Sequence, residues 1–319
     1  MRKLSEEEQN TKIETVRNTI KKSKLLFKED DWAVVISGRD EGIYGWVSVN
    51  YLKTILNKNS NEGKITEKTF GVIDCGGSSI EMTFLPETKT NNDFENDISD
   101  IPLGGITYSL YSHVYDNYGQ DDSYEKLFKI LIKDKDSNER LSHPCLPKGF
   151  NKTYNNSGTV YNFDGDYNME SCLNLTKEIL NITDCVNIED SDSTICSMNG
   201  VKQPKFNEDQ KFYGMSSLAY LSDGLGLDNT KYRSPKEILN YTIDYCNKGA
   251  SKIKEENPKT DDKYLKIYCY SGHYYYNMLV YGLGFNENWS NLILSNKINN
   301  TDTGWSFGSM IYEVGSLEN

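Results

Sequence analysis

The sequence predicts a mixed α/β fold, and two kinds of local pattern carry that prediction. Residues 79–84 (SIEMTF) alternate apolar and polar side chains with the period of a β-strand, and the apolar run at 71–75 predicts another strand before them. Apolar residues at helical spacing over 3–26, and again from Pro235 to Lys248, predict helices. The chain has no internal repeat and no segment with linker composition.

The elements expected in the first half of the chain follow in order. They are a helix over 3–26, a buried strand at 32–37 (WAVVIS), a glycine-bearing loop that becomes a helix within 38–56, a polar loop over 57–68, a hairpin over 70–84, a polar stretch over 85–100, and helices at 110–117 and 123–133.

The second half opens with residues 141–205, which are rich in Asn, Ser, Asp and Cys and carry only short strand patterns. This composition predicts a disulfide-stapled excursion outside the core. After it we expect a helix from Pro235, since proline favours the first helical position, then an aromatic helix over 268–280 and a final helix within 302–314.

Length and charge restrict the function. The 319 residues suffice for two domains, and the formal net charge is −12. A nucleic-acid partner is not expected, because phosphate backbones require a basic surface. Small anionic substrates remain possible, since local N–H groups and a divalent cation can hold them. No stretch approaches the ~18 apolar residues of a membrane helix, and residues 1–9 are too charged for a signal peptide.

The cysteines point to an oxidising compartment. Cys75 lies in a glycine turn, and the other six follow from position 145 onward without a CxxC pair, which disfavours zinc and redox sites. Six late cysteines favour three disulfides. Order along the chain suggests the following pairs, although other pairings remain possible: Cys145–Cys172, Cys185–Cys196 and Cys246–Cys269.

N-glycosylation sequons strengthen the same interpretation, although an Asn-rich chain also produces sequons by chance. They begin at Asn151, Asn155, Asn174, Asn181, Asn240, Asn288 and Asn299. Cysteines and sequons together favour the secretory pathway, in the extracellular space or an organelle lumen. The absence of a signal peptide conflicts with that location.

The stretch GVIDCGGSSIEMTF (71–84) raises the question of which kind of phosphate loop it forms. In P-loops and dinucleotide folds, the glycine turn opens a helix. Here a strand pattern follows the glycines, so a strand–turn–strand unit is expected. One interpretation is structural only: Asp74 caps a turn, and the glycines allow positive φ.

The functional interpretation assigns roles to the polar residues of this hairpin. The backbone N–H groups of Gly76, Gly77 and Ser78 would surround a terminal phosphate. Asp74 would organise the water shell of a metal ion. The side chains of Ser79, Glu81 and Thr83 share one face of the second strand, which is more than a turn requires.

Glu41 is a second candidate. An acid before a glycine in a loop is usually just solvated, but hydrolysis of a phosphate needs a carboxylate to orient or deprotonate water. The three histidines are scattered, and neither GxSxG nor HExxH occurs, so His-centred nucleophiles and zinc sites are disfavoured. Glu41 and Asp74 would suit the roles of base and cation holder.

Several stretches resemble one family, the nucleoside triphosphate diphosphohydrolases (apyrases or ecto-ATPases). Residues 41–52 (EGIYGWVSVNYL) closely resemble one characteristic region of that family, and 71–84 is similar to its second phosphate-binding hairpin. Residues 111–119 (YSHVYDNYG) resemble the helix that follows. Residues 266–285 and 302–311 resemble the two C-terminal regions, and the matches occur in family order.

This resemblance implies an actin-like ATPase (ribonuclease H-like) fold, with two domains that each hold phosphate on one β-hairpin. It implies stepwise hydrolysis of nucleoside tri- and diphosphates to the monophosphate, with Ca²⁺ or Mg²⁺. Glu41 matches the catalytic base, Asp74 the acid that positions metal-bound water, and Ser79 the residue that holds the attacking water. Glu81 stands where the family has a metal-site Gln.

The resemblance also implies a stacking site for the nucleobase. Trp305 matches an aromatic residue that stacks on the base, although core packing before a helix is the alternative. The other side of the base should come from the aromatic segment at 212–220, where Tyr220 is favoured over Tyr213.

The chain departs from the family pattern in two ways. Glu81 replaces Gln, and Cys75 replaces Leu as a small buried hydrophobe. The sequence also has no DxGSS motif for a first phosphate loop, and Met1–Arg2 precedes a helix suited to follow the family's AGMR motif. We therefore expect that the first part of domain I is missing from this sequence.

The expected organisation and function follow. Residues 1–38 would be the remnant of domain I, 39–296 domain II with the insertion at about 141–205, and 297–319 a segment returning to domain I. Two alternatives to an active hydrolase stay open: an inactive remnant that binds nucleotides or other proteins, and an exopolyphosphatase-like hydrolase. Glu81 favours the latter, whereas Trp305 and the disulfides disfavour it.

Overall fold

A computed structural model describes residues 1–87, 92–183, 185 and 193–317. The α-helices in these residues are α1 (Glu6–Lys21), α2 (Gly38–Leu52), α3 (Ile55–Glu62), α4 (Gln120–Leu131), α5 (Met169–Glu178), α6 (Ser217–Leu225), α7 (Pro235–Asn247), α8 (Gly249–Glu256), α9 (Asp262–Asn277) and α10 (Trp305–Leu317). The strands are β1 (Gly71–Cys75), β2 (Ser79–Phe84), β3 (Ile98–Leu103), β4 (Ile106–Asp116), β5 (Arg140–His143), β6 (Asn151–Asn156), β7 (Thr159–Gly165), β8 (Thr194–Ser197), β9 (Val201–Pro204), β10 (Phe212–Ser216), β11 (Leu292–Leu294), β12 (Lys297–Ile298) and β13 (Thr301–Asp302).

A six-stranded mixed sheet organises the molecule, in the order β11-β10-β1-β2-β4-β3. Strands β1, β10 and β11 run parallel, and β2, β4 and β3 add antiparallel pairs on the other side. Because β1 and β10 are parallel neighbours, their carboxyl ends lie at the same edge of the sheet. The predicted α/β class and the predicted hairpin are both confirmed.

The two faces of this sheet have different partners. Along β1, Val72 belongs to the core formed with α2, whereas Ile73 and Cys75 belong to the core on the opposite face. Asp74 therefore points to the α2 side of the sheet. Cys75 is fully buried and forms no disulfide, as predicted for a small hydrophobe. The opposite core contains large side chains of α6 and α9: Leu218, Leu221, Tyr270, Tyr274 and Tyr275.

Helix α2 begins earlier than predicted. The hydroxyl of Ser37 accepts a hydrogen bond from the Asp40 N–H at 3.0 Å, and the Asp40 carboxylate accepts one from Ser37, so this capping box supports a helix from Gly38 onward. The predicted glycine loop is therefore wrong. Gly42 then lets the helix lie directly on β2, because a Cβ at this position would come within 2.6 Å of the Thr83 hydroxyl oxygen.

Three other local predictions were wrong. Residues 32–37 form no strand: no strand among the described residues pairs with them, and Trp32 and Val34 are 50% and 51% exposed. Residues 110–117, predicted as helix, belong mostly to β4, which lies between two neighbouring strands. Burial on both faces there removes the alternation that identifies an exposed strand. Helix α3 occupies the first half of the predicted loop at 57–68.

The described residues of the segment 141–205 are more ordered than its composition predicts. They contain the three-stranded sheet β5-β7-β6, helix α5 and the pair β8-β9. Phe163, Leu180 and Met198 are fully buried in the same core as β1, so the prediction that this segment stays outside the core was wrong. The composition failed as a guide because the few large apolar residues of this segment are enough to join it to the core.

The described cysteines form three disulfides, and the pairing expected from their order is confirmed: Cys145–Cys172, Cys185–Cys196 and Cys246–Cys269. Disulfides of this number indicate folding in an oxidising compartment. Within the described part of the chain, no helix has the length and apolar character needed to cross a bilayer. The division into domains at 1–38, 39–296 and 297–319 stays a prediction.

Candidate active site

The hairpin of β1 and β2 holds two acidic side chains side by side. Asp74 and Glu81 are directly paired across the two strands, and the Gly76 N–H closes the turn on the Ser79 carbonyl at 3.0 Å. Opposite residues of an antiparallel pair have Cβ atoms about 5 Å apart. Both carboxyl groups are buried, with relative exposures of 6% and 2%. Two buried acids at this distance need positive charge or protons nearby.

The glycine turn is fixed from behind by the start of α4. The N–H groups of Gln120 and Asp121 donate to the carbonyls of Gly76 and Gly77 at 2.9 and 2.8 Å. A Cβ on Gly119 would come within 2.4 Å of the Ser78 nitrogen, so this backbone approach requires glycine there.

These contacts use the carbonyls of the turn and leave the N–H groups of Gly77 and Ser78 available, whereas the N–H of Gly76, which was also expected to face the phosphate, already donates to the Ser79 carbonyl. Within the described residues, no acceptor bonds the N–H of Gly77 or Ser78. Consecutive free N–H groups in a turn form an anion-binding concavity. The turn therefore has the chemistry of a phosphate cradle.

Glu41 approaches the hairpin from α2. It lies in the first turn of the helix, one residue before Gly42, where a Cβ would come within 3.3 Å of the Glu81 Cβ. The Glu41 side chain keeps 22% exposure and lines the same cavity as Asp74 and Glu81. A carboxylate at this rim can contact water that also contacts the turn.

The side chains of Ser79 and Arg2 connect the carboxyl groups of Glu81 and Glu41. The Ser79 hydroxyl donates to Glu81 Oε1 at 2.6 Å. One guanidinium nitrogen of Arg2 donates to Ser79 Oγ and to Glu81 Oε1, both at 3.0 Å, and the other contacts the Glu41 carboxylate. Sequence reasoning did not assign Arg2 to the site, and its only signal was its match to the last residue of the AGMR motif.

Burial dominates the electrostatics of both hairpin acids. Desolvation raises the pKa of Asp74 to about 6, with a hydrogen bond from Ser216 opposing the shift and the Glu41 charge adding to it. Desolvation likewise raises the pKa of Glu81 to about 8. The Ser79 hydroxyl and Arg2 oppose that shift, whereas the charges of Glu41 and Asp74 increase it.

The raised pKa of Glu81 predicts a pH-dependent stability. A carboxyl group that binds its proton more tightly when folded stabilises the protein fully below its unfolded pKa of 4.5, and this contribution is lost as the pH rises through about 8. Burial lowers the pKa values of His143 and His273 to about 3 and about 4. Their contribution makes the protein more stable as the pH rises, but only below about pH 6.5.

We therefore expect the urea midpoint, measured with a chelator present, to fall between about pH 6.5 and about pH 8.5. Glu81→Gln should remove most of that fall. A midpoint that stays constant in the unaltered protein, or an equal fall in the variant, would contradict the assignment to Glu81.

The cavity bounded by these groups has a volume of about 470 Å³ and includes an acid and a hydroxyl that sequence reasoning missed, Asp116 and Ser216. Asp116 ends β4 opposite Ser79. Ser216 ends β10 with φ 55° and ψ −119°, held by a 2.7 Å hydrogen bond from its N–H to Asn296 Oδ1. A non-glycine residue in this region costs energy and often marks a functional site, but no local sequence pattern reveals it.

The aromatic candidates fall into three different environments. Trp305 lines the cavity and is 37% exposed. Tyr213 is buried in the core beside α2, where its hydroxyl donates to the Lys297 carbonyl at 2.6 Å, so it offers no face to a ligand. Tyr220 is 60% exposed on α6 and is not among the cavity-lining residues.

The residues fit a divalent cation bound through water. Ca²⁺ and Mg²⁺ prefer oxygen ligands, and Mg²⁺ usually retains several waters. Asp74 and Glu81 provide two buried carboxyl groups side by side at the cavity, which are oxygen ligands of the kind these cations prefer. Elsewhere in the described residues, Cys246, Cys269 and His273 lie close together, but both sulfurs belong to one disulfide and are not metal ligands.

Known proteins with similar sequences also handle phosphate, as their names state. The whole chain, residues 1–319, matches the family described as GDA1/CD39 (nucleoside phosphatase). It is 30% identical to ectonucleoside triphosphate diphosphohydrolase 8 of Gallus gallus, over 97% of this chain and 64% of that protein. It is 27% identical to ectonucleoside triphosphate diphosphohydrolase 3 of Homo sapiens, over 98% and 61%. The chain thus spans slightly less than two thirds of these relatives.

Among solved structures, the chain is similar to the crystal structure of nucleoside triphosphate hydrolases from Neospora caninum. The TM-score is 0.69 at 13% identity, with 100% of this chain and 71% of that chain covered. This likeness concerns the fold, and the predicted actin-like ATPase class is confirmed.

Proposed function

Because this chain belongs to the GDA1/CD39 (nucleoside phosphatase) family, we propose that it hydrolyses nucleoside tri- and diphosphates to the monophosphate and phosphate. The observation that carries the proposal is the convergence of Glu41, Ser79, Asp74 and Glu81 on the free N–H groups of one glycine turn. A carboxylate at the rim and a phosphate cradle beside it are the groups that attack by water on phosphorus requires.

Each group of the site has one role in the proposed reaction. A water held between the Glu41 carboxylate and the Ser79 hydroxyl attacks the terminal phosphorus, and Glu41 takes its proton. A bond forms from the water oxygen to phosphorus as the bond to the bridging oxygen breaks, and the shortened nucleotide leaves with that oxygen. The N–H groups of Gly77 and Ser78 stabilise the charge of the phosphoryl oxygens. The proposed phosphate site is thus the turn of Gly76, Gly77, Ser78 and Ser79, in which Gly77 and Ser78 supply the N–H donors.

The proposal includes Ca²⁺ or Mg²⁺, held through water by Asp74 and Glu81. A divalent cation at this place supplies charge neutralisation for the phosphoryl group. Four acidic side chains line the cavity: Glu41, Asp74, Glu81 and Asp116. Arg2 forms ion pairs with two of them, Glu41 and Glu81. An anionic substrate would be repelled from this lining without further positive charge.

The test is phosphate release by the 319-residue chain, produced in an oxidising host, from ATP, ADP, UDP and GDP. We expect release with Ca²⁺ or Mg²⁺ and none with a chelator. Nucleotide binding without turnover would instead support the alternative of an inactive remnant.

Trp305 provides a prediction that separates nucleotides from polyphosphate. A base stacked on an aromatic ring contributes about 1–3 kcal/mol, so Trp305→Ala should raise KM for ATP by about 5- to 150-fold. Polyphosphate has no base, and its KM should not change. Trp32→Ala, at an exposed tryptophan that does not line the cavity, is the matched control. Equal effects on ATP and polyphosphate would overturn the stacking role, and preferential cleavage of polyphosphate would favour the exopolyphosphatase alternative.

The proposed second side of the base site remains Tyr220, which is exposed and therefore accessible. The proposed location is the secretory pathway, with glycosylation. The asparagines of all seven sequons are exposed: Asn151, Asn155, Asn174, Asn181, Asn240, Asn288 and Asn299. Loss of mass on glycosidase treatment of protein from a eukaryotic secretory host would test it.

A further inference from the structure

Arg2 contacts the groups to which water activation is assigned. Its two terminal nitrogens reach the Glu41 carboxylate on one side, and Ser79 Oγ and Glu81 Oε1, each at 3.0 Å, on the other. The guanidinium is planar and its donors have fixed directions. The two contacts of the attacking water are therefore both taken by one side chain.

This contact is specific to Arg2 among the basic residues at the cavity. Lys3 also lines it, but its ammonium group pairs with Asp122 rather than with the hairpin acids. The Arg2 side chain is 33% exposed and forms ion pairs with both Glu41 and Glu81. It compensates part of the negative charge that a divalent cation would otherwise neutralise.

The segment that carries Arg2 lies at the surface, where Lys3 pairs with Asp122. Helix α1, which follows it, has no buried residue, and its cap is formed locally by Ser5 and Glu8. None of residues 1–4 is buried, so the Arg2 side chain can turn away from the site without disturbing core packing. Arg2 can leave the site at the cost of its polar contacts alone.

We propose that Arg2 is an internal counter-ion of the candidate site, which a divalent cation and the attacking water must displace. This inference rests on the proposed function for the identity of the site. When no cation is bound, the contacts of Arg2 with Glu41, Ser79 and Glu81 occupy the groups that would hold the cation and the attacking water. The affinity for the cation then depends on the free energy of releasing Arg2.

Calorimetric titration of Ca²⁺ into the 319-residue chain, without nucleotide, tests this directly. Arg2→Ala should bind Ca²⁺ at least about tenfold more tightly, as expected when a unit charge a few ångströms away is removed. Arg2→Lys should fall between, since one ammonium group cannot bridge both sides. Lys3→Ala is the matched control and should change the affinity less than about twofold.

Chemical rescue separates a specific contact from a general charge effect. Guanidinium ion at about 50 mM should weaken Ca²⁺ binding to Arg2→Ala, whereas methylammonium at the same concentration should not. Equal or weaker binding by Arg2→Ala, an equal gain in Lys3→Ala, or no Ca²⁺ binding by any form up to about 20 mM would each overturn the inference.

This readout does not depend on turnover. If Arg2→Ala binds Ca²⁺ more tightly but the unaltered chain hydrolyses no nucleotide, the counter-ion role of Arg2 is supported and the proposed hydrolysis is refuted. If the chain hydrolyses nucleotides but Arg2→Ala binds Ca²⁺ with unchanged affinity, the hydrolysis is supported and the counter-ion role is refuted. Circular dichroism spectra of the variants confirm that the fold is retained.

Discussion

Glu41→Gln is expected to lower the rate of nucleotide hydrolysis by about 10²- to 10⁴-fold, the usual contribution of a general base. Glutamine keeps the size of the side chain but cannot accept the proton of the attacking water. The side chain at this position is half-buried at the rim of the cavity and belongs to no hydrophobic core cluster, so the fold should not suffer. The measurement is kcat for ATP and ADP at saturating Ca²⁺.

The control for this variant is Glu62→Gln, at an exposed glutamate that ends α3 and does not line the cavity. It should leave kcat unchanged. If Glu41→Gln retains the rate of the unaltered protein, Glu41 is not the base. A change in KM alone would assign it to substrate binding instead.

The hairpin was predictable because its pattern is local. Alternation over residues 79–84 determines which side chains share a face, and the β1–β2 register then brings Asp74 opposite Glu81. The strand pattern after the glycines is enough to exclude a helix-based phosphate loop. The roles of Glu41, Asp74 and Ser79 came from the family resemblance and stay predictions.

Contacts between distant segments were not predictable in the same way. Glu41 reaches the hairpin because Gly42 lies against Thr83 and Glu81, and no pattern within α2 specifies that approach. Ser216 depends on an unusual backbone conformation, which a sequence does not display. Arg2 is brought to the site by tertiary placement alone.

The choice between the two tyrosines shows the same limit. Both lie in one aromatic segment, yet Tyr213 sits in the middle of β10 and is covered by α2, whereas Tyr220 lies on the outer side of α6. The boundary between strand and helix decides their exposure. Single-sequence patterns locate such boundaries poorly, as the mistaken helix at 110–117 also shows.

Gly308→Ala is expected to destabilise the protein by about 3 kcal/mol, at the upper end of overpacking effects. Helix propensity alone predicts the opposite sign, because alanine is favoured over glycine by about 1 kcal/mol inside a helix. Packing decides the outcome. A Cβ on Gly308 would lie 1.7 Å from the carbonyl oxygen of Tyr44 and 2.9 Å from the backbone nitrogen of Ser48.

Both clashing atoms belong to the backbone of α2, so neither can rotate away, and α10 must move as a unit. That movement would break the hydrogen bond from the Tyr44 hydroxyl to Glu313, which is 2.8 Å long, and would shift Trp305 at the start of α10. We therefore expect a higher KM for ATP together with the lower stability.

Gly304→Ala is the matched control, one residue before the same helix. A Cβ there meets no atom within 4 Å, and its φ lies outside the left-handed region, so the free energy of unfolding should change by less than about 0.5 kcal/mol. Urea denaturation of both variants measures the difference. If Gly308→Ala is as stable as Gly304→Ala, α10 does not pack on α2 at the distance that brings Trp305 to the cavity.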